Sequence, residues 1–420
     1  MISGEKSGAI FSLKAYRNLV KRLEVVILLP LFFSFFYYAW HNTYFFIAFL
    51  CFMKNIVYIL FIIQVLFISC AKDENFNETD NPQINSEDPV LIKTDINGEE
   101  QWRQTFGFDN GSHQIKDFLQ TNDGGYLIIG LIHDGVTMWG ISTLIKTDEH
   151  GIQEWYKFFP SLQAMSIIQT NEGGYMISGR DFIMKTDIYG TEEWTNINYN
   201  ISGWIEKTND GGYIIGGSNL VKVDLYGNEE WINEVLLIWD FQQTADGGYI
   251  VVQRHNSHPI LGPEYPEKFE LKKIDLNGVL LWSKVFTVGT FNGDVYPHSV
   301  LENADGSYII GGKRSGVSGD HFMFIMQTDN LGNLQWQKYF RGACTDLQHA
   351  SDGGYISVSG VWDGASSSEF ESPGELIKLD EYGNKEWVRE IIPNSRYARL
   401  EITSDFGYII AFKPSNLINN

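Results

Sequence analysis

Apolar and polar positions along this chain follow a frame that recurs seven times between residues 90 and 412. The first half of each copy is an apolar run such as Leu144-Ile-Lys-Thr147, a polar turn, and a segment of mixed alternation that contains a Trp. Short apolar runs bounded by turn residues, without helical periodicity, predict β-strands. The recurring Trp residues are Trp102, Trp155, Trp194, Trp231, Trp282, Trp336 and Trp387.

The polar turn in every copy has an Asp followed three residues later by a Gly, as at Asp148 and Gly151. This pair is typical of a type I turn closed by a residue with positive φ. Asp95 and Asp275 open Asp-x-Asn-Gly sequences that resemble part of a calcium loop. Such a turn is too short to supply the spaced oxygens of an EF-hand, so we interpret the Asp as a turn residue and expect neither a metal nor a cofactor.

The second half of each copy is a Gly-rich turn followed by a Tyr and an apolar run, as in Asp123-Gly-Gly-Tyr126-Leu-Ile-Ile-Gly130. Consecutive apolar residues predict strands that are buried on both faces. Each copy therefore supplies four strands in two hairpins. We interpret the recurring Trp and Tyr as packing residues between sheets, with sugar stacking as the alternative.

A period of roughly 40 to 55 residues indicates a radial array of small sheets. The sequence predicts an all-β, seven-bladed β-propeller with four strands per blade over residues 90–412, followed by a tail at 413–420. The first complete hairpin, Leu91 to Phe106, bears the Trp, and the last, Leu400 to Phe412, bears the Tyr. The two terminal hairpins are therefore expected to share one blade, which closes the ring.

The element Leu-Ile-Lys-Thr-Asp-x-x-Gly-x-x-x-Trp resembles the repeat of quinoprotein-type (PQQ-like) β-propellers. With Asp-Gly-Gly-Tyr it is similar to repeat-containing surface or secreted proteins of Bacteroidota-type bacteria. The resemblance covers about residues 90–412 and implies a propeller. Quinoprotein dehydrogenases and the related outer-membrane assembly lipoproteins have eight blades, and the dehydrogenases typically carry adjacent cysteines and a calcium-bound cofactor. This chain has seven copies and no adjacent cysteine pair.

The segment before the repeats predicts a cellular address. Residues 53–69 have a Lys near the start, an apolar core and a small residue before Cys70, as in a lipoprotein signal peptide. The end Phe67-Ile-Ser-Cys70 resembles the lipobox of those bacteria, with Cys70 as the lipidated residue. The following Ala-Lys-Asp-Glu resembles a signal for export to the cell surface. We expect an outer membrane lipoprotein, on the cell surface or on the periplasmic side of that membrane, with residues 70–89 as a flexible tether.

Residues 1–52 contain two Phe- and Tyr-rich apolar stretches, Val25–Trp40 and Tyr44–Phe52. We interpret them as an extension created by a start codon assigned too early, with Met53 as the true initiator. The alternative is a membrane hairpin ahead of the propeller, although a spanning helix needs ~20 apolar residues. In that alternative Cys70 need not carry a lipid.

Charge and cysteine content exclude some partners. The chain has 31 Lys and Arg against 52 Asp and Glu, a net charge of −21. Residues 1–69 hold six of the basic and two of the acidic residues, so the remainder has a net charge near −25. Nucleic acid is therefore not an expected partner. Cys344 is alone in the repeat region, so no disulfide is expected. Separately, we predict a monomeric propeller.

Long connections predict where a ligand binds, because variable loops on a rigid scaffold concentrate binding residues. They are 131–142, 252–269, 286–298, 313–321 and 359–375, while the second and third blades have very short ones. The His255-x-x-His258 pair suggests a metal, but the Pro-rich loop around it does not. Candidate binding residues are His133, Trp139, His255, His258, Tyr265, Asp294, Tyr296, His298, Arg314, Asp320, Trp362 and Asp363.

Two functions fit these features. The first is a non-enzymatic, lipid-anchored propeller that binds a protein or a glycan through its loop-bearing face. The second is a polysaccharide hydrolase or lyase, since acidic loop residues are available for a carboxylate pair. No nucleophile elbow and no phosphate-binding Gly loop is present in the sequence, and no catalytic residue is assigned.

Overall fold

The computed structural model describes residues 88–106, 112–133, 140–159, 162–198, 201–234, 238–254, 268–288, 295–315, 321–360, 374–392 and 395–414. These residues form seven antiparallel four-stranded sheets, as the repeat pattern predicts. No helix long and apolar enough to cross a membrane occurs among them. Residues 1–87, which include Cys70, lie outside the described part of the chain.

The strands follow the chain in order. The first two are β1 (Val90–Thr94) and β2 (Glu100–Thr105). Blade 1 contains β3 (Ser112–Gln120), β4 (Tyr126–His133), β5 (Ile141–Thr147) and β6 (Gln153–Phe159). Blade 2 contains β7 (Ala164–Gln169), β8 (Tyr175–Gly179), β9 (Phe182–Thr186) and β10 (Glu192–Ile197). Blade 3 contains β11 (Gly203–Lys207), β12 (Tyr213–Gly217), β13 (Leu220–Val223) and β14 (Glu229–Asn233).

The second half of the chain continues the pattern. Blade 4 contains β15 (Ile238–Gln243), β16 (Tyr249–Arg254), β17 (Lys268–Ile274) and β18 (Leu280–Thr287). Blade 5 contains β19 (Val295–Glu302), β20 (Tyr308–Ser315), β21 (His321–Thr328) and β22 (Leu334–Arg341). Blade 6 contains β23 (Ala343–His349), β24 (Tyr355–Gly360), β25 (Gly374–Leu379) and β26 (Lys385–Ile392). The last strands are β27 (Ser395–Ile402) and β28 (Tyr408–Pro414).

Both ends of the repeat region build blade 7, whose strand order is β2-β1-β28-β27. Strand β1 pairs with β28 in antiparallel register, with Val90 opposite Phe412 and Thr94 opposite Tyr408. The predicted closure by N- and C-terminal hairpins is therefore confirmed. The ring is joined by backbone hydrogen bonds at the point where the chain would otherwise leave it open.

The carboxylate of the Asp in each Asp-x-x-Gly turn accepts hydrogen bonds from backbone N–H groups of the same turn. At Asp95, one carboxylate oxygen accepts hydrogen bonds from the backbone N–H groups of Asn97 (2.8 Å) and Glu99 (2.9 Å). Gly98, at φ +75°, completes the turn. The same pair of contacts recurs at Asp148, Asp187, Asp224, Asp275, Asp329 and Asp380. The turn interpretation is confirmed, and the calcium alternative loses its ligands.

A Lys on the third strand of most blades bridges the two hairpins. In blade 1, the buried Lys146 lies 3.0 Å from the turn residue Asp123 and 3.2 Å from Glu154 on the outer strand. Lys185, Lys222 and Lys378 make the same two ion pairs in blades 2, 3 and 6. A buried ammonium needs such partners because its desolvation would otherwise disfavour the charge. These ion pairs fix each Tyr hairpin to its Trp hairpin.

The recurring Trp residues join neighbouring blades. A Cβ atom added to Gly227 of blade 3 would lie 2.7 Å from Cη2 of Trp194 in blade 2, so only Gly leaves room for the indole. The other six contacts complete a circle: Trp231–Gly278, Trp282–Gly332, Trp336–Gly383, Trp387–Gly98, Trp102–Gly151 and Trp155–Gly190. Four of these indoles also meet the Tyr of the next blade, as Trp102 meets Tyr126 at 5.6 Å between ring centroids. Packing, and not sugar stacking, accounts for them.

The ring has two unlike ends. The two hairpin turns of every blade lie at one end, which we name the turn end. The connections within and between blades lie at the other, the loop end, where β1 begins and β28 finishes. The first strand of each blade contacts the first strand of a neighbouring blade, so these strands surround the axis.

Candidate functional site

The structure describes four of the predicted binding residues, and all four lie on strands. Tyr296 and His298 belong to β19, Arg314 to β20, and His133 ends β4. Their assignment to loops was wrong because strand pairing continues into the segments that we had counted as loops: β4 reaches His133, β20 reaches Ser315 and β19 begins at Val295. Trp139, His255, His258, Tyr265, Asp294, Asp320, Trp362 and Asp363 lie outside the described residues.

Tyr296 and His298 meet at an aromatic cluster near the loop end of blades 4 and 5. Trp239, on the inner strand β15, makes edge contacts with Tyr296 (5.4 Å between ring centroids) and with His298 (5.5 Å). The ammonium group of Lys313 lies 4.5 Å from the centroid of the Tyr296 ring. The Nε1–H group of Trp239 is buried and has no hydrogen-bond acceptor among the residues that the structure describes. We name these four residues the mouth cluster.

The electrostatics of the mouth cluster are positive in a strongly acidic protein. Burial, together with the charges of Lys313 and Arg399, lowers the pKa of His298 to about 3. The imidazole is therefore neutral at physiological pH and offers one N–H donor and one acceptor. The cluster combines aromatic rings, an unused N–H donor and an ammonium group, which suits a polar ligand with hydrogen-bond acceptors.

Polar residues at one repeated position surround the axis next to this cluster. The residue nine positions before each blade Tyr lies on the innermost strand. In blade order these are Asp117, Ser166, Trp204, Asp240, Ser299, Asp346 and Arg399, and we name them the axial ring. Arg399 of blade 7 stacks on Trp204 of blade 3, with its guanidinium carbon 4.0 Å from the ring centroid. Because these two blades lie on different sides of the ring, the contact crosses the axis.

The carboxylates of the axial ring bind the backbone of the next blade. Asp117 accepts hydrogen bonds from the hydroxyl of Ser166 (2.6 Å) and from the N–H of Ile167 (3.1 Å). Asp240 accepts from the N–H of Val300 at 2.8 Å in the same way. Asp346 accepts from the N–H of Leu400 at 2.9 Å. These contacts give the carboxylates a structural role between blades.

The axial carboxyl groups nevertheless titrate abnormally. Burial raises the pKa of Asp240 to about 7. Glu206 lies on β11, two residues beyond Trp204 toward the turn end. Burial and the charge of Asp240 raise the pKa of Glu206 to about 8. Burial also raises the pKa of Glu401 to about 8, with a contribution from Asp117. Burial raises the pKa values of Asp117 and Asp346 too, although Arg399 opposes the shift. The charge of Arg399 opposes the shift at four of these acids, Asp117, Asp240, Asp346 and Glu401.

Sequence reasoning missed the axial ring and two members of the mouth cluster, Trp239 and Lys313. A usable signal existed, because aligning the seven copies on their Tyr places Asp, Ser, Trp, Asp, Ser, Asp and Arg in one column. Polar residues in a strand that is otherwise apolar indicate a shared environment. The structure describes no group of three or more His, Cys, Asp or Glu side chains that could hold a metal ion.

Comparisons with known proteins find only distant similarity. No family model and no curated protein matches the chain. A protein of unknown function from Bacteroides caccae is 12% identical, covers 60% of this chain and 94% of its own, and gives a TM-score of 0.39. BamB from Moraxella catarrhalis is 12% identical, with 77% and 91% coverage and a TM-score of 0.42. The Dos1 propeller is 10% identical, with 77% and 81% coverage and a TM-score of 0.47. No ligand or activity follows from values this low.

The raised pKa values predict that the protein loses stability as the pH rises above neutrality. A carboxyl group with a raised pKa in the folded state binds its proton more tightly there than in the unfolded chain. Its contribution is complete below the unfolded pKa of ~4 and is lost as the pH passes the folded values of about 7 for Asp240 and about 8 for Glu206 and Glu401.

Urea denaturation between about pH 6.5 and about pH 9 measures this effect. We expect the free energy of unfolding to fall across the range, and to fall less in Glu206→Gln, which cannot ionise. Stability that rises with pH, or an identical slope in the variant, would contradict the assignment.

Proposed function

We propose that the protein is a lipid-anchored binding module of the cell envelope that holds a protein or glycan ligand at the loop end of its propeller. The buried Nε1–H group of Trp239, which has no acceptor in the described part of the chain, carries this proposal. A buried donor without a partner is unfavourable by about 1–3 kcal/mol, and a bound ligand that supplies an acceptor removes that penalty.

The surroundings of Trp239 support the same site. Tyr296 and His298 hold the indole edge-on, and Lys313 brings a positive charge to the Tyr296 ring. Aromatic area with a few directed polar groups is typical of binding sites and of interface hot spots. The long connections after β16, β18 and β20 leave the strands at this same end.

The location of the chain ends is compatible with an anchor at Cys70. The strand β1 begins at the loop end, so the proposed tether of residues 70–89 would enter the propeller there. We propose that the leader of residues 53–69 directs export to the outer membrane, and that the surface-exposed form is the one that meets the ligand.

The alternative function, a polysaccharide hydrolase or lyase, has one observation in its favour. Glu206 has a pKa of about 8, so it is protonated at neutral pH as a general acid must be. Against it, the neighbouring Asp240 accepts a backbone N–H from blade 5. A carboxylate that holds two blades together is not available as a nucleophile or base, so binding remains the favoured function.

Substitutions at the loop end test the binding proposal. The variants are Trp239→Phe, which removes only the unused donor and some ring area, and alanine at Tyr296, Trp139, Tyr265 and Trp362. Each is measured against immobilised purified polysaccharides and a fractionated envelope extract. We expect at least tenfold weaker binding, or about 1.4 kcal/mol, with little change in melting temperature.

Tyr382→Ala is the matched control, because Tyr382 is 63% exposed and lies in a turn at the opposite end. Binding that is lost in Tyr382→Ala and retained in all loop-end variants would show that the ligand uses the turn end.

The lipid anchor predicts a specific modification. Mass spectrometry of the membrane fraction should find a diacyl or triacyl group on Cys70, and Cys70→Ala should move the protein to the soluble fraction, because two or more acyl chains are what hold it in the bilayer. An unmodified Cys70, together with peptides from residues 1–52, would favour the membrane hairpin instead.

A further inference from the structure

Large apolar side chains are exposed along the outer edges of blades 4 and 5. Leu280, Leu281 and Val285 on β18 are 46–56% exposed, and Leu331, Leu334 and Tyr339 of blade 5 are 44–60% exposed. The two blades adjoin here, since Lys284 donates a hydrogen bond to the side chain of Asn333 (3.2 Å). We name these six apolar residues the outer patch.

The strands of the outer patch are sheet edges without the usual protection. Among the described strands, β18 pairs only with β17 and β22 only with β21, so one side of each backbone has no strand partner there. In the other five blades, acidic side chains on the outer strand disfavour pairing with another strand. They are Glu100, Glu154, Glu192, Glu193, Glu229, Glu230, Glu386 and Glu390. The sequences of β18, LLWSKVFT, and β22, LQWQKYFR, contain no acidic residue.

Blade 4 lacks the ion pair between the third-strand Lys and a Glu on the outer strand. The residue before the blade Trp is the Glu that pairs with the buried Lys in blades 1, 2, 3 and 6, but in blade 4 it is Leu281. Lys273 keeps only the turn residue Asp246, at 2.7 Å, and the Thr244 hydroxyl, at 2.6 Å. An exposed Leu adds nothing to the core, so the fold itself does not account for the exchange.

The charge of the patch indicates the chemistry of its partner. Lys284, Lys338 and Arg341 belong to these two strands, in a protein whose net charge is −21. The outer patch is therefore apolar and basic where the protein as a whole is acidic. An acidic partner is attracted to this edge and repelled elsewhere.

We propose that the outer patch is a docking edge for an extended segment of an acidic partner protein, which adds as a fifth strand beside β18. Backbone hydrogen bonds to the free side of β18 hold the segment, while its apolar side chains cover Leu281 and Val285. Acidic side chains of the segment face Lys284, which lies on β18 itself. This surface is separate from the loop end and does not depend on the proposed ligand there.

Leu281→Glu tests the docking edge without harming the fold. It restores the residue of blades 1, 2, 3 and 6 and gives Lys273 a second ion pair, so the melting temperature should not fall. Gln101→Glu is the matched control, since Gln101 holds the same position in blade 7 and accepts a hydrogen bond from Lys93. Val285→Thr provides a second variant that retains the strand.

The probe is a capped synthetic peptide of alternating Val and Glu, with alternating Val and Lys as its charge control, both measured by fluorescence anisotropy. The Val-Glu peptide should bind the wild-type protein and Gln101→Glu alike, at least tenfold more tightly than the Val-Lys peptide. Binding should weaken at least tenfold in Leu281→Glu and less in Val285→Thr.

Equal binding of both peptides, or an unchanged affinity in Leu281→Glu, would overturn the proposal. A wild-type dimer in sedimentation equilibrium that Leu281→Glu dissociates would also overturn it, because the occupant of the edge would then be a second copy of this chain.

Discussion

The contact between a Trp of one blade and the turn Gly of the next, which we name the Trp–Gly clasp, determines the rest of this structure. It repeats around the whole ring, and the pair Trp387–Gly98 links blade 6 to blade 7, which contains both ends of the repeat region. The Gly is required twice over, by a positive φ and by the space that the indole occupies. A sequence that repeats Asp, Gly and Trp at fixed spacing thereby repeats one interface between blades.

Two further sets of contacts work with this clasp. Buried lysines such as Lys146 tie the two hairpins of a blade together through acidic partners. Near the axis, Asp117, Asp240 and Asp346 accept backbone N–H groups of the next blade, and Arg399 crosses to Trp204. The Trp–Gly clasp is apolar and independent of pH, whereas the axial contacts involve ionisable groups. The ring is therefore stabilised differently at its rim and at its centre.

The sequence could predict the blades, their number and the shared terminal blade, because these follow from residues that recur in every copy. The axial ring was missed because its members differ in type, so that only an alignment of the seven copies on their Tyr brings them into one column. Tyr296 and His298 were taken for loop residues because Gly289, Asn292, Gly293 and Asp294 come just before them, yet pairing with β20 extends the strand through them. The mouth cluster depends on a contact between blades 4 and 5, which local patterns do not record.

The most direct test of the Trp–Gly clasp is a double-mutant cycle on Trp194 and Gly227, with unfolding measured in urea. Trp194→Ala should lower the free energy of unfolding by about 3–5 kcal/mol. Gly227→Ala should be more costly than the control Gly247→Ala, which has a similar φ of +85° but nothing within 4 Å of an added Cβ. In the Trp194→Ala background, Gly227→Ala should fall to the cost of the control, a coupling of roughly 1 kcal/mol or more. Additive effects would show that the indole does not rest on the turn, and would contradict the account.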